Sequence, residues 1–411
     1  MKYNQYNIKI VWVLGSCFLS LMAHGQQLET LIDVALSNNP EIQKFELQYN
    51  IAIEKVNEVN TIPNTEFGVG YFISEPETRT GAQRFKVSAK QMMPWFGNIT
   101  ARENYVSSLA DTSYEDLVIA KRQLMASVSQ SYYNLYANTR QQEVLTENIQ
   151  LLKTYETLAL TSVEVGKASA VDVLRLQMRQ NELEQLKQVL FHRYLAEQTA
   201  FNKHLNRDKD LAVDVITELN IPSEVFEINS NQLALHPELV KYDKLYQSVE
   251  QSELLNQKER NPMIGFGLDY INVDKRPDMT FSDNGKDIVM PMVMVSIPIF
   301  NKKYKSQTKQ NELNQQKITS EKQERLNKLE TILDKAFNDR IAARISYDTQ
   351  AKNLKQAKDA EEILIKSYET GTINFVDVLD IQELQLKFQM NQIESVKNYY
   401  IQSTIINYLT N

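Results

Sequence analysis

The chain has 411 residues, with 45 basic and 52 acidic side chains and a formal net charge of −7 at neutral pH. This mild acidity argues against a nucleic-acid binder, which presents a basic surface. Cys17 is the only cysteine, so the sequence excludes an intrachain disulfide, a zinc-thiolate site and a thiol enzyme.

Residues 1–25 are predicted to be an export signal. Two lysines flank a polar start, a largely apolar stretch follows, and residues 23–25 include small side chains where a signal peptidase cuts. We therefore expect the mature chain to begin at Gln26. A lipoprotein signal is the alternative, because small residues precede Cys17, although the apolar region continues past it. Cys17 is then either removed with the signal or carries lipid.

The rest of the sequence is predicted to be one architectural unit that has been duplicated. We assign the first repeat to residues 26–229 and the second to residues 230–411. Short segments of the first repeat return in the same order in the second, which is typical of duplicated architectures. The matching pairs are residues 35–42 with 234–239, 63–71 with 262–270, 94–96 with 298–300, and 171–174 with 376–379.

Each repeat contains two predicted strands of alternating polarity. Residues 67–73 and 84–90 place Phe, Val, Tyr and Ile on one face and Gly, Lys or Arg on the other, and residues 264–270 and 287–297 repeat this more weakly. Such strands are typical of a membrane barrel around water. An open sheet edge in lipid leaves backbone groups without partners. Four strands per chain therefore predict a barrel shared between copies, whose number the sequence does not fix.

Residues 99–165 and 302–370 contain neither glycine nor proline, so each is predicted to be a single helix. Such a helix is about 100 Å long at 1.5 Å per residue. The second window has a coiled-coil seam that Arg340, Gln350 and Glu361 interrupt. The seam residues are Leu329, Leu333, Ala336, Ala343, Tyr347, Leu354, Ala357, Leu364 and Tyr368.

The sequence offers no pattern that predicts catalysis. It has no nucleophile with a partner base, no metal triad and no nucleotide loop, so we expect no enzyme activity, no cofactor and no metal site. Met290, Met292 and Met294 alternate along one predicted strand. Thioethers are ligands for copper(I) or silver(I), but we interpret this pattern as apolar packing.

In order and spacing, these features resemble TolC-type outer membrane efflux proteins. The resemblance covers both repeats and rests on Asn39-Pro40-Glu41, Pro94-Trp95-Phe96-Gly97 and the run from Gly371 to Asp380. It implies a mainly α protein with membrane β structure, in which a homotrimer forms a 12-stranded β-barrel. A 12-helix α-barrel would continue this barrel into the periplasm.

The resemblance also implies a function and partners. The expected function is a passive exit duct in the outer membrane for a tripartite efflux or type I secretion system. The expected partners are outer membrane lipid, a periplasmic adaptor protein and an inner-membrane pump such as an RND or ABC transporter. A periplasmic coiled-coil scaffold or adaptor without its own pore is the alternative.

The resemblance places the functional residues at two helical hairpin turns. The residues expected to dock the adaptor are Gly166, Val171, Asp172, Gly371 and Val376. Asp377 and Asp380 are expected to form acidic rings at the periplasmic aperture, where spaced carboxylates would attract cations. Arg175 stands opposite Asp380 in the first repeat, so only the second hairpin is expected to carry both rings. Asp172 also fits a helix-start residue that complements the helix dipole.

Overall fold

The computed structural model describes residues 26–166, 169–222, 230–300, 302–373 and 375–410. The predicted export signal and Cys17 lie outside the described residues. In chain order the elements are α1 (Gln26–Asn38), α2 (Pro40–Val59), β1 (Glu66–Tyr71), β2 (Glu77–Thr78), β3 (Gly81–Met93), α3 (Asn98–Glu164), α4 (Ala170–His204), a 3-10 helix (Ser230–Leu235), α5 (Pro237–Glu259), β4 (Met263–Val273), β5 (Ile288–Ser296), α6 (Lys302–Glu369) and α7 (Phe375–Thr410).

The two long helices agree with the prediction to within one residue at each end. Helix α3 has 67 residues and α6 has 68, which at 1.5 Å per residue makes each about 100 Å long. Both run without glycine or proline, the residues that most often end or bend a helix. Among the described helices, none combines the length and apolarity required to cross a membrane.

The described residues divide into two compact units, and each takes segments from both predicted repeats. We call residues 45–117 with 237–325 the strand unit, and residues 26–44, 118–236 and 326–411 the helix unit. The predicted repeats are therefore not separate compact bodies. Helices α3 and α6 each contribute residues to both units.

The strand unit contains one antiparallel sheet in the order β1-β3-β4-β5, with the short β2 paired to the start of β3. Strand β3 of the first predicted repeat pairs with β4 of the second, with Ala89 opposite Leu268. The alternation in each strand therefore continues across all four. One face carries Phe67, Val69, Tyr71, Phe85, Val87, Ile264, Phe266, Leu268, Tyr270, Val289, Val293 and Val295.

The helix unit has a core drawn from α3, α4, α6 and α7. Leu145 and Leu176 are fully buried, together with Val378. The predicted seam of α6 faces inward, because Leu329, Leu333, Ala336, Ala343, Ala357 and Tyr368 are buried. Burial of this stripe is what keeps so long and so polar a helix folded, since isolated helices gain little from propensity alone.

An irregular segment, residues 205–222, follows α4 in the helix unit. Side chains of the long helices supply the partners that its backbone lacks. The Tyr132 hydroxyl accepts from the backbone N–H of Ile216 at 2.9 Å, and the Tyr136 hydroxyl accepts from that of Leu219 at 3.2 Å. Asn202 donates to the carbonyl of Leu211 at 2.8 Å. These tyrosines therefore position this segment as well as packing in the core.

Candidate functional site

The first hairpin turn lies at the end of α3. Gly166 has φ +73°, a left-handed conformation that favours glycine, and its N–H donates to the Val163 carbonyl at 3.0 Å. Ser169 then caps α4, because its hydroxyl accepts from the N–H of Val171 at 3.2 Å. The Asp172 carboxylate accepts from the Ser169 N–H at 3.4 Å, which completes a capping box.

The second hairpin turn is built in a similar way at the end of α6. Gly371 has φ +75°, and its N–H donates to the Tyr368 carbonyl at 2.8 Å. The Thr372 N–H and hydroxyl both donate to the Ser367 carbonyl, at 3.0 and 2.7 Å. These bonds satisfy carbonyls that the end of α6 leaves without helical partners.

The aspartates of the two hairpins have different surroundings. Asp172 is buried and lies 3.8 Å from the Arg175 guanidinium, in addition to its capping bond. Asp377 and Asp380 are both exposed and, spaced three apart in α7, lie on one side of the helix. Within the described part of the chain neither has an ion-pair partner. Asp172 therefore serves the fold of its helix, whereas Asp377 and Asp380 are available to solvent.

The buried side chains next to Asp377 in α7 explain why Asp377 faces outward from the helix unit. Phe375 and Val378 are fully buried, and the Phe375 ring packs edge-on against Tyr155 and Tyr368, with centroids 5.8 and 4.9 Å apart. These contacts fix the rotation of α7 about its own axis. Asp377 consequently faces outward, and Val376 beside it is half-buried.

The first hairpin also exposes apolar side chains. Val171 is 51 % exposed, and Leu174 and Met178 are more exposed still. Spaced three and four apart, they form a stripe on the face of α4 opposite the buried Val173 and Leu176. The predicted docking residues thus include both an exposed apolar side chain, Val171, and a buried polar one, Asp172.

A buried polar network ties α3 to α6 and α7 near these turns. The Tyr155 hydroxyl donates to Glu361, and the Gln385 amide donates to the same carboxylate at 2.7 Å. The Gln382 amide reaches the Tyr155 hydroxyl at 3.4 Å. Burial raises the pKa of Tyr155, and its bond to Glu361 raises that pKa further. The sequence pattern had marked Glu361 only as an interruption of the seam, since its partners are distant along the chain.

The strand unit carries a second candidate surface. The apolar face of the sheet is strongly exposed in the single chain, with Phe67 at 78 %, Val69 at 80 % and Val293 at 71 %. An exposed apolar surface of this extent marks a contact with another molecule or a membrane. Among the described strands, β1 and β5 each pair on one side only, so both edges of the sheet are open.

We find no cluster of three or more His, Cys, Asp or Glu side chains that could hold a metal ion within residues 26–410 outside the four gaps. The features with chemical consequences are the exposed carboxylates of α7, the apolar sheet face and the open sheet edges.

Several solved structures with the same fold are described as membrane channels. The chain superimposes on CusC, studied for folding and transmembrane channel formation, with a TM-score of 0.77 and 13 % identity over 94 % of this chain and 92 % of that one. For the outer-membrane channel OprN the TM-score is 0.76 and the identity is 14 %, over 94 % of this chain and 90 % of that one. For the outer membrane protein VceC from Vibrio cholerae the TM-score is 0.73 and the identity is 15 %, over 94 % of this chain and 96 % of that one. No family model and no curated protein sequence matches the chain.

At these identities the likeness concerns the fold. The chain has the fold of outer membrane channel proteins, and the resemblance to TolC-type proteins is confirmed at that level. The mainly helical architecture with a small antiparallel sheet is confirmed with it.

Proposed function

We propose that the chain is one protomer of a homotrimeric channel in the outer membrane that serves as a passive exit duct for efflux or secretion. The observation that carries this proposal is the four-stranded sheet with one exposed apolar face and two open edges. Backbone groups at such edges are tolerated in lipid only if another strand pairs with them. Three copies would close a 12-stranded barrel, which is within the range of membrane barrels.

The other sheet face supports an aqueous interior. Lys86, Ser88 and Lys90 alternate with the apolar residues of β3, and Asp269 of β4 pairs with Lys86 on the same face. A barrel that is apolar outside and polar inside encloses water. Each half of the chain runs from helix through antiparallel strands to two further helices, of 67 and 35 residues in the first half and 68 and 36 in the second, which supports the duplicated unit.

The helix unit would form the periplasmic tunnel, with three copies of four helices. The exposed Asp377 and Asp380 would then ring its aperture. The turns at Gly166 and Gly371 would meet a periplasmic adaptor, with the exposed Val171 among the contacts. An inner-membrane pump would complete the export system.

Purification with and without detergent tests this function. We expect a detergent-dependent particle whose protein mass by light scattering is three times that of one chain, and which conducts ions in planar bilayers. A detergent-free monomer without conductance would overturn the proposal in favour of a periplasmic coiled-coil scaffold.

A further inference from the structure

The sheet sorts its apolar residues between two faces by type. Most apolar side chains of the exposed apolar face are aliphatic or aromatic. On the polar face, away from the loop end with Ile271, Val273 and Ile288, the large apolar side chains are methionines. These are Met92, Met263, Met290, Met292 and Met294, whereas Met93 lies on the apolar face. We call the five methionines on the polar face, without Met93, the methionine face.

Two glycines of β4 allow side chains of the neighbouring strands to approach each other. Gly265 lies between Met92 of β3 and Met294 of β5 in the pairing register. A methyl group added to Gly265 would overlap the Met92 Sδ and would lie 3.1 Å from the Met294 Cε. Both thioethers therefore lean over the same backbone position.

The next glycine continues this arrangement. Gly267 lies opposite Met292, and an added methyl group there would be 3.2 Å from the Met292 Cε. Strands β3 and β5 stand two sheet spacings apart, about 10 Å. Flexible methionine side chains span that gap because β4 presents no side chain at either glycine. Met92, Met292 and Met294 thus have their thioether ends gathered over one short stretch of β4.

This arrangement fits a chemical role better than packing alone. On the other face of the same strands the apolar side chains are mainly Val, Ile, Leu, Phe and Tyr, with Met93 as the methionine there. Three neighbouring thioethers are a soft ligand set, suited to copper(I) or silver(I) and not to zinc, magnesium or calcium. We propose that Met92, Met292 and Met294 form a binding site for one soft monovalent cation.

Two lysines lie on the same sheet face as the thioethers. Lys86 is paired with Asp269, and Lys90 lies opposite Glu66 in the register. The charge of Lys86 is thus matched by an acidic residue, whereas the Lys90 side chain runs beside Met292, its Cγ 3.5 Å from a methyl group added to Gly267. The proposal departs from the interpretation of Met292 and Met294 as apolar packing because of Met92, which the sequence pattern did not connect to them. The site uses the sheet alone and does not require that the chain form a channel.

Silver(I) is a suitable probe because it does not change oxidation state under ordinary buffer conditions. We would titrate silver nitrate, in chloride-free buffer, into the purified full chain and follow heat and the NMR signals of methionine methyl groups labelled with carbon-13. We expect saturation at one silver ion per chain, with shifts confined to Met92, Met292 and Met294. Zinc should produce no saturable shift of these methyl groups.

Matched variants distinguish silver ligation by the thioethers from simple packing of the methionine side chains. The triple change of Met92, Met292 and Met294 to Leu should abolish silver binding, while Met93→Leu on the opposite face should keep it. Leucine conserves volume, so the sheet should tolerate these changes. If the triple variant does not fold, Met294→Leu alone, with an unchanged circular dichroism spectrum, should still lose saturable binding.

Absence of saturable binding to the wild-type chain would overturn the proposal, as would equal silver affinity in Met294→Leu and Met93→Leu. The methionines would then be packing over the glycines. If the chain binds silver but does not conduct ions, the proposed channel function is wrong and the proposed silver site stands.

Discussion

Removal of one hydroxyl group from the buried network near the hairpin turns tests how the helix unit is held together. Tyr155→Phe removes the hydroxyl of α3 that donates to the Glu361 carboxylate. The Gln385 amide, which donates to the same carboxylate at 2.7 Å, remains. A hydrogen bond to a charged group contributes about 1.5–3 kcal/mol. The phenylalanine ring still fills the site, because Tyr155 packs against Phe375 through its ring.

Hydrogen exchange read by mass spectrometry measures this loss locally. Since each 1.4 kcal/mol is tenfold, the expected loss corresponds to roughly 10- to 150-fold faster exchange of α3 amides near Tyr155. Tyr114→Phe, an exposed tyrosine of the same helix, should leave that exchange unchanged. If Tyr155→Phe also leaves it unchanged, the network does not stabilise the contact between α3 and α6.

The stability difference between wild type and Tyr155→Phe is also expected to depend on pH in the alkaline range. The pKa of Tyr155 in the fold lies above its ordinary value of 10.0, so an unfolded chain loses this proton first as pH rises. The stability that Tyr155 contributes is therefore fully present below about pH 10 and declines above it by about 1.4 kcal/mol per pH unit. The difference in thermal stability between wild type and Tyr155→Phe should be constant from pH 7 to 9 and should narrow towards pH 11. A constant difference at pH 11 would contradict the assigned bond.

Three further outcomes follow from the hairpins and the irregular segment. Asp377→Asn combined with Asp380→Asn should lower cation preference and abolish block by trivalent cations in planar bilayers, with trimer mass unchanged; an unaltered block would place the aperture elsewhere. Asp172→Asn should leave conduction unchanged and should weaken the start of α4 by about 1 kcal/mol, seen as faster amide exchange there. Tyr132→Phe and Tyr136→Phe each remove an acceptor for a backbone N–H, worth about 1 kcal/mol. Limited proteolysis should then cut the irregular segment faster, and wild-type rates in both variants would show that these hydroxyls do not hold it.

The long helices could be predicted closely because their signal is local. Gly97 and Gly166 flank a glycine- and proline-free window, and α3 occupies that window. The seam from Leu329 to Tyr368 was equally readable, since its spacing of three and four reports one helix face. Strand faces were predictable for the same reason, because side chains alternate strictly along a strand.

The remaining features depend on contacts between distant parts of the chain. Glu361 looked like an interruption of the seam because its partner Tyr155 lies in another helix. The hydroxyl of Tyr132 holds Ile216, and no local pattern connects the two residues. Asp172 and Asp377 occupy matching positions, yet Asp172 is buried within a capping box and Asp377 is exposed. Sequence similarity between the hairpins could not reveal this difference in burial.

The pairing of β3 with β4 has a consequence for biogenesis. Lys90 lies opposite Gly267, so the central seam of the sheet joins strands from the two halves of the chain. A nascent chain that has emerged only as far as α4 contains β1 and β3 as a hairpin in which β3 does not yet have its partner β4. Such an edge is a template for aggregation. The time between synthesis of β3 and synthesis of β4 is therefore a time in which this edge is open to pairing with other chains.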